Sequence, residues 1–149
     1  MEQRVLSHSE AETEAVGAAL VASVGGEAVI LLEGDLGSGK TVLVRGIADA
    51  LGIDRREVQS PTYTLIHEHE GPRGRLVHVD LYRLEGEEIV ALGLEEMLAG
   101  PGIKAIEWAK RLDETGLAPS AAYRVELRRT ATGEREILIE RAAPDAQRS

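Results

Sequence analysis

Apolar residues recur with helical spacing near the beginning of the chain. The positions that carry this period are Val16, Ala19, Leu20 and Val24. Ser9 and Glu12 have the spacing of a capping box that begins a helix, and Gly25-Gly26 provides its end. We therefore expect a helix here that packs one face on a sheet, preceded by a short strand over residues 4–6.

A continuous apolar run follows, without the alternation of a half-exposed strand. Residues 28–32 are rich in branched side chains, which is typical of a strand buried on both faces of a parallel sheet. The run leads into a glycine-rich turn and then into a second helical face that ends at Gly52. The apolar positions of that face are Leu43, Val44, Ile47, Ala48 and Leu51. The pattern thus predicts a strand, a glycine loop and a helix in direct succession.

Two antiparallel hairpins are predicted further along the chain. The first joins residues 62–68 to residues 75–80, and the second joins residues 123–129 to residues 135–141. Three shorter elements are predicted between them: a helix over residues 87–98 that Gly93 weakens, a buried strand over 103–106 and the start of a helix over 109–112. This alternation of helices and strands predicts an α/β fold.

Composition places the chain among ordinary soluble domains. It has 149 residues, 43% hydrophobic and 29% charged, so we predict a single domain over residues 1–142 and a flexible tail over 143–149. Its apolar stretches are much shorter than the roughly 20 residues that cross a bilayer. The absence of cysteine excludes disulfides and thiolate metal sites, and it fits a cytoplasmic location. A net charge of −9 argues against autonomous binding to DNA or RNA.

The glycine-rich turn carries the strongest chemical signal. Its residues are Gly34, Asp35, Leu36, Gly37, Ser38, Gly39, Lys40 and Thr41. This order satisfies the Walker A pattern and predicts a P-loop NTPase-like three-layer domain with a mixed, largely parallel central sheet. The glycines let backbone N–H groups surround a phosphate at the start of a helix. We expect the Lys40 ammonium, exposed to the ligand rather than buried, to reach the β- and γ-phosphates, and the Thr41 hydroxyl to ligate Mg²⁺.

Two predicted strands end in carboxylates. Asp80 follows a mostly apolar strand and has the Walker B form, which makes it a magnesium-side partner for Thr41. Glu107 ends another strand, at the edge where open α/β sheets bind ligands, and is a second candidate for the metal. Trp108 beside it either packs in the core or lines the nucleotide pocket.

The segment between the two Walker motifs carries hydroxyl groups at Thr62 and Thr64. Such a segment senses the γ-phosphate in P-loop switch proteins, and a plain loop entering a strand is the alternative. The four histidines have neither metal-ligand spacing with cysteine nor the context of a catalytic triad. We therefore predict no catalytic role for them.

Four blocks of the sequence together resemble the TsaE family. They are Gly34 to Thr41, Ser60 to Leu65, His78 to Leu84 and Ile106 to Trp108, in the family's order and spacing. The resemblance implies the bacterial ATPase component of tRNA threonylcarbamoyladenosine synthesis. That component works with the TsaD and TsaB proteins, which carry out the transfer to tRNA, so tRNA is expected to be reached indirectly through them.

The resemblance also implies roles for single residues. Those expected to act at the phosphates and the metal are Lys40, Thr41, Thr62, Thr64, Asp80 and Glu107. Ser9, Thr13 and Arg135 are expected to frame the adenine side of the nucleotide.

Two alternatives to a simple ATPase remain open. A small-molecule kinase on the same fold requires an acceptor pocket and usually an arginine-rich lid, and no loop concentrates arginine in that way. A nucleotide-gated binding module, in which hydrolysis resets a partner complex, fits the family. No Asn-Lys-x-Asp stretch for guanine is present, so ATP is favoured over GTP.

The groups needed for hydrolysis are less complete than those needed for binding. Leu81 follows Asp80, where many fast P-loop ATPases carry a glutamate that polarises the attacking water. Neither a water-positioning glutamine nor an arginine finger is identifiable. We therefore predict a slow intrinsic turnover that a partner accelerates.

Overall fold

The computed structural model describes residues 2–35, 37–59, 66–84, 86–115, 121 and 123–141, and seven strands within them form one sheet. The strands are β1 Glu2–Ser7, β2 Ala28–Glu33, β3 Ile66–Gly71, β4 Gly74–Asp80, β5 Ile103–Glu107, β6 Tyr123–Arg129 and β7 Arg135–Arg141. Their order across the sheet is β1-β7-β6-β2-β5-β4-β3.

The centre of this sheet is parallel. β4, β5, β2 and β6 run in one direction, whereas the two hairpins and the pairing of β1 with β7 are antiparallel. The predicted α/β class, mixed sheet and hairpins are confirmed, although half rather than most of the pairings are parallel. Because parallel strands end at one edge, the ends of β2, β4 and β5 bring the glycine loop, Asp80 and Glu107 together.

Helices pack on both faces of the sheet. The described residues contain α1 Glu10–Ser23, α2 Lys40–Ala50, α3 Gly86–Ala91 and α4 Leu94–Ala99, with 3-10 helices at Arg55–Glu57 and Ala109–Thr115. Helix α1 begins at the predicted capping box, where Ser9 Oγ accepts the N–H of Glu12 at 3.1 Å. The Glu12 carboxylate in turn accepts the N–H of His8 at 3.0 Å, so the first turn is capped from both sides.

Helix α1 packs one face on the sheet as predicted, because Leu20 lies in the same apolar cluster as Val125 of β6 and the Ser23 hydroxyl is hydrogen-bonded to that of Tyr123, and it also crosses close to α2. Two glycines allow the close crossing. A Cβ on Gly17 would lie 2.2 Å from the carbonyl oxygen of Leu43, and one on Gly46 would lie 1.9 Å from that of Glu14. Glycine carries no apolar signal, so the hydrophobic period alone does not reveal this contact.

The helix predicted over residues 87–98 is divided into two. Gly93 has a φ of +68° and caps the beginning of α4, and this left-handed conformation ends the regular helix. The helix predicted to start at residues 109–112 is a 3-10 helix. Both differences concern how a helix continues, which local periodicity describes poorly.

Two apolar clusters lie on opposite faces of the sheet. Ile30 of β2 belongs to the cluster that contains Leu43 of α2. Leu31, the next residue along β2, belongs to the cluster that contains Ile89 of α3. Strand β2 is therefore buried on both faces, as its continuous apolar run predicts, and the three-layer arrangement is confirmed.

Some predicted features fall outside the described residues. The first hairpin strand is described from Ile66 onward, and residues 62–65 are not described. The predicted tail over residues 143–149 also lies outside the described part of the chain. Among the described helices, none has both the length and the apolar character of a membrane span.

Candidate nucleotide site

The loop between β2 and α2 is shaped by glycines. Gly34, Gly37 and Gly39 have φ angles of +151°, +78° and +108°, a region that glycine adopts without strain. A Cβ on Gly34 would lie 2.5 Å from the carbonyl oxygen of Leu127 and 2.6 Å from Ser38 Oγ. The loop is thus folded closely against β6 and leads directly into the N-terminus of α2, where backbone N–H groups favour an anion.

The hydroxyl of Ser38 lies inside this loop. The residue is 2% exposed, and its Oγ has no hydrogen-bond partner among the described residues. An unpaired buried hydroxyl is costly, so it is suited to donate to a ligand oxygen. This feature fits the phosphate group that the Walker A pattern predicts.

Lys40 is held within the same loop. Its ammonium donates to the carbonyl oxygens of Gly34 and Asp35, the latter at 3.0 Å, and lies 4.2 Å from the ring centroid of Trp108. The expectation that the side chain is exposed is wrong, because Lys40 is 5% exposed. Burial lowers the pKa of this ammonium, while the carboxylate of Glu107 acts in the opposite direction. An adjoining phosphate would compensate the lost solvation, so the environment suits an anionic ligand.

Two carboxylates lie beside the loop as the topology requires. Asp80 and Glu107 are register partners on β4 and β5, and both side chains are buried. The hydroxyl of Thr41 donates to Glu107, at 3.0 Å from Oε2 and 3.3 Å from Oε1. Asp80 Oδ1 accepts the N–H of Tyr82 at 2.9 Å. The sequence predicts Asp80 as the partner of Thr41 at the metal, whereas in the structure the Thr41 hydroxyl is hydrogen-bonded to Glu107.

This donor set is chemically suited to magnesium. Mg²⁺ usually takes one or two protein carboxylates and completes its shell with phosphate oxygens and water. Thr41, Asp80 and Glu107 supply a hydroxyl and two carboxylates beside the loop, although no three His, Asp or Glu side chains of the described ranges form a metal cluster on their own. The residues therefore fit a magnesium ion that arrives with a nucleotide.

Trp108 belongs to both the core and the site. Its ring packs at 4.7 Å from that of Tyr82 and against the apolar cluster under α3. It also lines a cavity of about 450 Å³ together with Lys40, Asp80 and Glu107. Its φ of +61° is the only positive value at a non-glycine residue of the described chain. The predicted core packing of Trp108 is confirmed. Its place at a nucleotide pocket stays a prediction, which the concentration of strained backbone at functional sites favours.

A second cavity of about 210 Å³ adjoins the glycine loop. It is lined by Ser9, Thr13 and Arg135, the three residues expected on the adenine side, and by Gly39. Gly39 and Arg135 line the larger cavity as well, so the two spaces meet there. The structure thus brings these residues together beside the loop. Thr62 and Thr64 lie outside the described residues.

Sequence reasoning missed two residues of the site. His78 is fully buried, with Nε2 2.5 Å from Glu107 Oε2. It precedes Asp80 by two positions and therefore faces the same side of β4, a signal that strand alternation provides. Arg129, at the end of β6, lines the larger cavity. The pairing of β6 with the P-loop strand, which local pattern does not reveal, brings it there.

Known proteins resemble this chain over most of its length. The family model described as "Threonylcarbamoyl adenosine biosynthesis protein TsaE" matches residues 7–137. The tRNA threonylcarbamoyladenosine biosynthesis protein TsaE of Nostoc sp. is 52% identical over 88 residues, which are 56% of this chain and 54% of that protein. Its counterpart from Bacillus subtilis is 40% identical over 126 residues, 85% of this chain and 77% of that protein. The crystal structure of Bacillus subtilis YdiB has a TM-score of 0.78 at 30% identity and covers 97% of this chain and 88% of its own. The match thus spans about half the length of the Nostoc relative and more than three quarters of each Bacillus chain.

Proposed function

Because this chain belongs to the TsaE family of threonylcarbamoyladenosine biosynthesis proteins, we propose that it is a magnesium-dependent ATPase that acts on a TsaD-TsaB partner complex in tRNA modification. The observation that carries the proposal is the convergence of three groups beside the P-loop. They are the unpaired Ser38 hydroxyl, the buried Lys40 ammonium and the Thr41 hydroxyl bonded to Glu107.

Each group has a distinct part in holding ATP. The loop N–H groups and Ser38 donate to phosphate oxygens, and the Lys40 ammonium exchanges its carbonyl partners for the β- and γ-phosphates. Thr41, Asp80 and Glu107 would hold magnesium, and the bound ion would supply positive charge to offset that of the phosphates. Ser9, Thr13 and Arg135 bound the adjoining cavity in which the adenine is held.

The site is better equipped to bind ATP than to cleave it. Leu81 follows Asp80 and is completely buried, so this position contributes neither a carboxylate nor access to water. Hydrolysis then depends on Glu107, on Thr62 and Thr64, or on groups that the partner supplies. ATP binding thereby gates association with TsaD and TsaB, and tRNA is reached through those proteins.

Reconstitution with the partners tests this function. We expect the tagged full chain to capture purified TsaD and TsaB in the presence of ATP and Mg²⁺ and less of them without nucleotide. The assembled proteins should form threonylcarbamoyladenosine on tRNA only when both the chain and ATP are present. Association that does not depend on nucleotide would contradict the proposal that ATP gates the complex. Transfer of the γ-phosphate to a small-molecule acceptor would contradict the proposed ATPase and favour a kinase.

A further inference from the structure

A buried histidine contacts the same oxygen of the Glu107 carboxylate as the Thr41 hydroxyl of α2. His78 is 0% exposed and Glu107 is 3% exposed. Glu107 Oε2 lies 2.5 Å from His78 Nε2 and 3.0 Å from Thr41 Oγ1. The carboxylate is therefore held between a group of β4 and a group of the first turn of α2.

The hydrogen-bond partners define the proton position on the histidine ring. His78 Nδ1 is buried and has no hydrogen-bond partner among the described residues. A proton on Nδ1 would leave an unpaired buried donor, whereas a proton on Nε2 is donated to Glu107. Glu107 Oε2 then accepts from His78 Nε2 and from the Thr41 hydroxyl at the same time. The arrangement is satisfied when the ring carries a hydrogen on Nε2.

We propose that His78 is a positioning residue for the magnesium-nucleotide site and acts through Glu107. Its Nε2–H fixes the carboxylate in the orientation that receives the Thr41 hydroxyl, so that both groups face the metal position. Without this bond the carboxylate gains rotamers that must be lost again when metal binds. Outer-shell partners of this kind commonly change metal affinity or activity by about 10- to 100-fold. The proposal rests on the proposed function, because it assumes that Glu107 serves a nucleotide-bound metal.

Amide substitutions of different length separate this role from core packing. The amide nitrogen of His78→Gln replaces Nε2 and reaches Glu107, whereas that of His78→Asn takes the position of Nδ1 and does not. Both variants introduce a polar group of similar chemistry into the same buried place. His67→Gln is the matched control, since His67 is the register partner of His78 on β3 and has no contact with Glu107 in the described structure.

Calorimetric binding of a non-hydrolysable ATP analogue, with Mg²⁺ and with EDTA, provides the readout. We expect the gain in affinity that Mg²⁺ provides over EDTA to be about 10- to 100-fold smaller in His78→Asn than in the wild type. The affinity of this variant in EDTA should equal the wild-type value. His78→Gln and the His67→Gln control should retain the magnesium effect. Equal magnesium effects in wild type and His78→Asn would overturn the proposal. So would equal losses in the Asn and Gln variants, because the Nε2 donor would then be irrelevant.

The wild-type protein offers an independent test that needs no variant to fold. Long-range ¹H–¹⁵N correlation NMR of the His78 ring should show a hydrogen on Nε2. Protonation at Nδ1 would overturn the proposal, and this result decides the matter if His78→Asn lacks a cooperative melting transition. Failure of the proposed function has a different signature, since the wild type would then bind no ATP analogue under either condition.

Discussion

Replacing Lys40 with alanine is expected to weaken ATP binding by about 10- to 100-fold, because a hydrogen bond to a charged group contributes about 1.5–3 kcal/mol. The ammonium is the cation that lies within the glycine loop, over the ring of Trp108. Its replacement also removes a buried charge, so the fold should survive with a melting temperature near that of the wild type.

Lys110→Ala is the matched control for this substitution. The Lys110 side chain is 72% exposed and its only ion pair in the described structure is a long one to Glu126, at 3.9 Å. Equilibrium binding of ATP to both variants, with circular dichroism to confirm folding, checks the prediction. An unchanged ATP affinity in Lys40→Ala would remove the lysine from the phosphate site.

Removing either carboxylate should have its main effect on the magnesium dependence of turnover. We expect Asp80→Ala and Glu107→Ala each to lower ATP hydrolysis at limiting Mg²⁺ by at least about tenfold. The two side chains lie opposite each other on neighbouring strands, and Glu107 also accepts the Thr41 hydroxyl. In the proposed site, loss of either one would leave a magnesium ion with one carboxylate fewer.

Magnesium titrations of phosphate release measure this effect. Glu126→Ala is a suitable control, because this carboxylate pairs with Arg128 on β6 and lines a different cavity. A titration curve that coincides with the wild-type curve would exclude the substituted residue from the metal site, even if the total activity were reduced.

The local pattern of apolar, polar and turn residues predicts much of the fold. The hairpin of β6 and β7 has the predicted bounds, since alternation and a turn at Gly133 specify both strands and their register. The succession of β2, glycine loop and α2 is equally local and is confirmed. The sequence therefore predicts Asp80 and Glu107 at strand ends, and both positions are confirmed.

The contacts within the site depend on how distant elements meet. The bond between Thr41 and Glu107 joins α2 to β5, and the one between His78 and Glu107 joins β4 to β5. Neither follows from periodicity along a single element. The burial of Lys40 has a similar origin, because the loop carbonyls and Trp108 close over it only in the folded chain. The close crossing of α1 and α2 was missed for a related reason, since glycines at the contact carry no hydrophobic signal.

Steady-state phosphate release, measured with and without TsaD and TsaB, tests whether the chain is a slow ATPase that its partners activate. We expect the isolated chain to hydrolyse ATP well below the median enzyme rate of about 10 per second and the two partners to raise this rate. The buried Leu81 after Asp80 is the reason to expect slow turnover, because it leaves the water-activating position without a polar group. Fast hydrolysis by the chain alone, unchanged when TsaD and TsaB are added, would show that the site is complete without a partner and would overturn the proposed function.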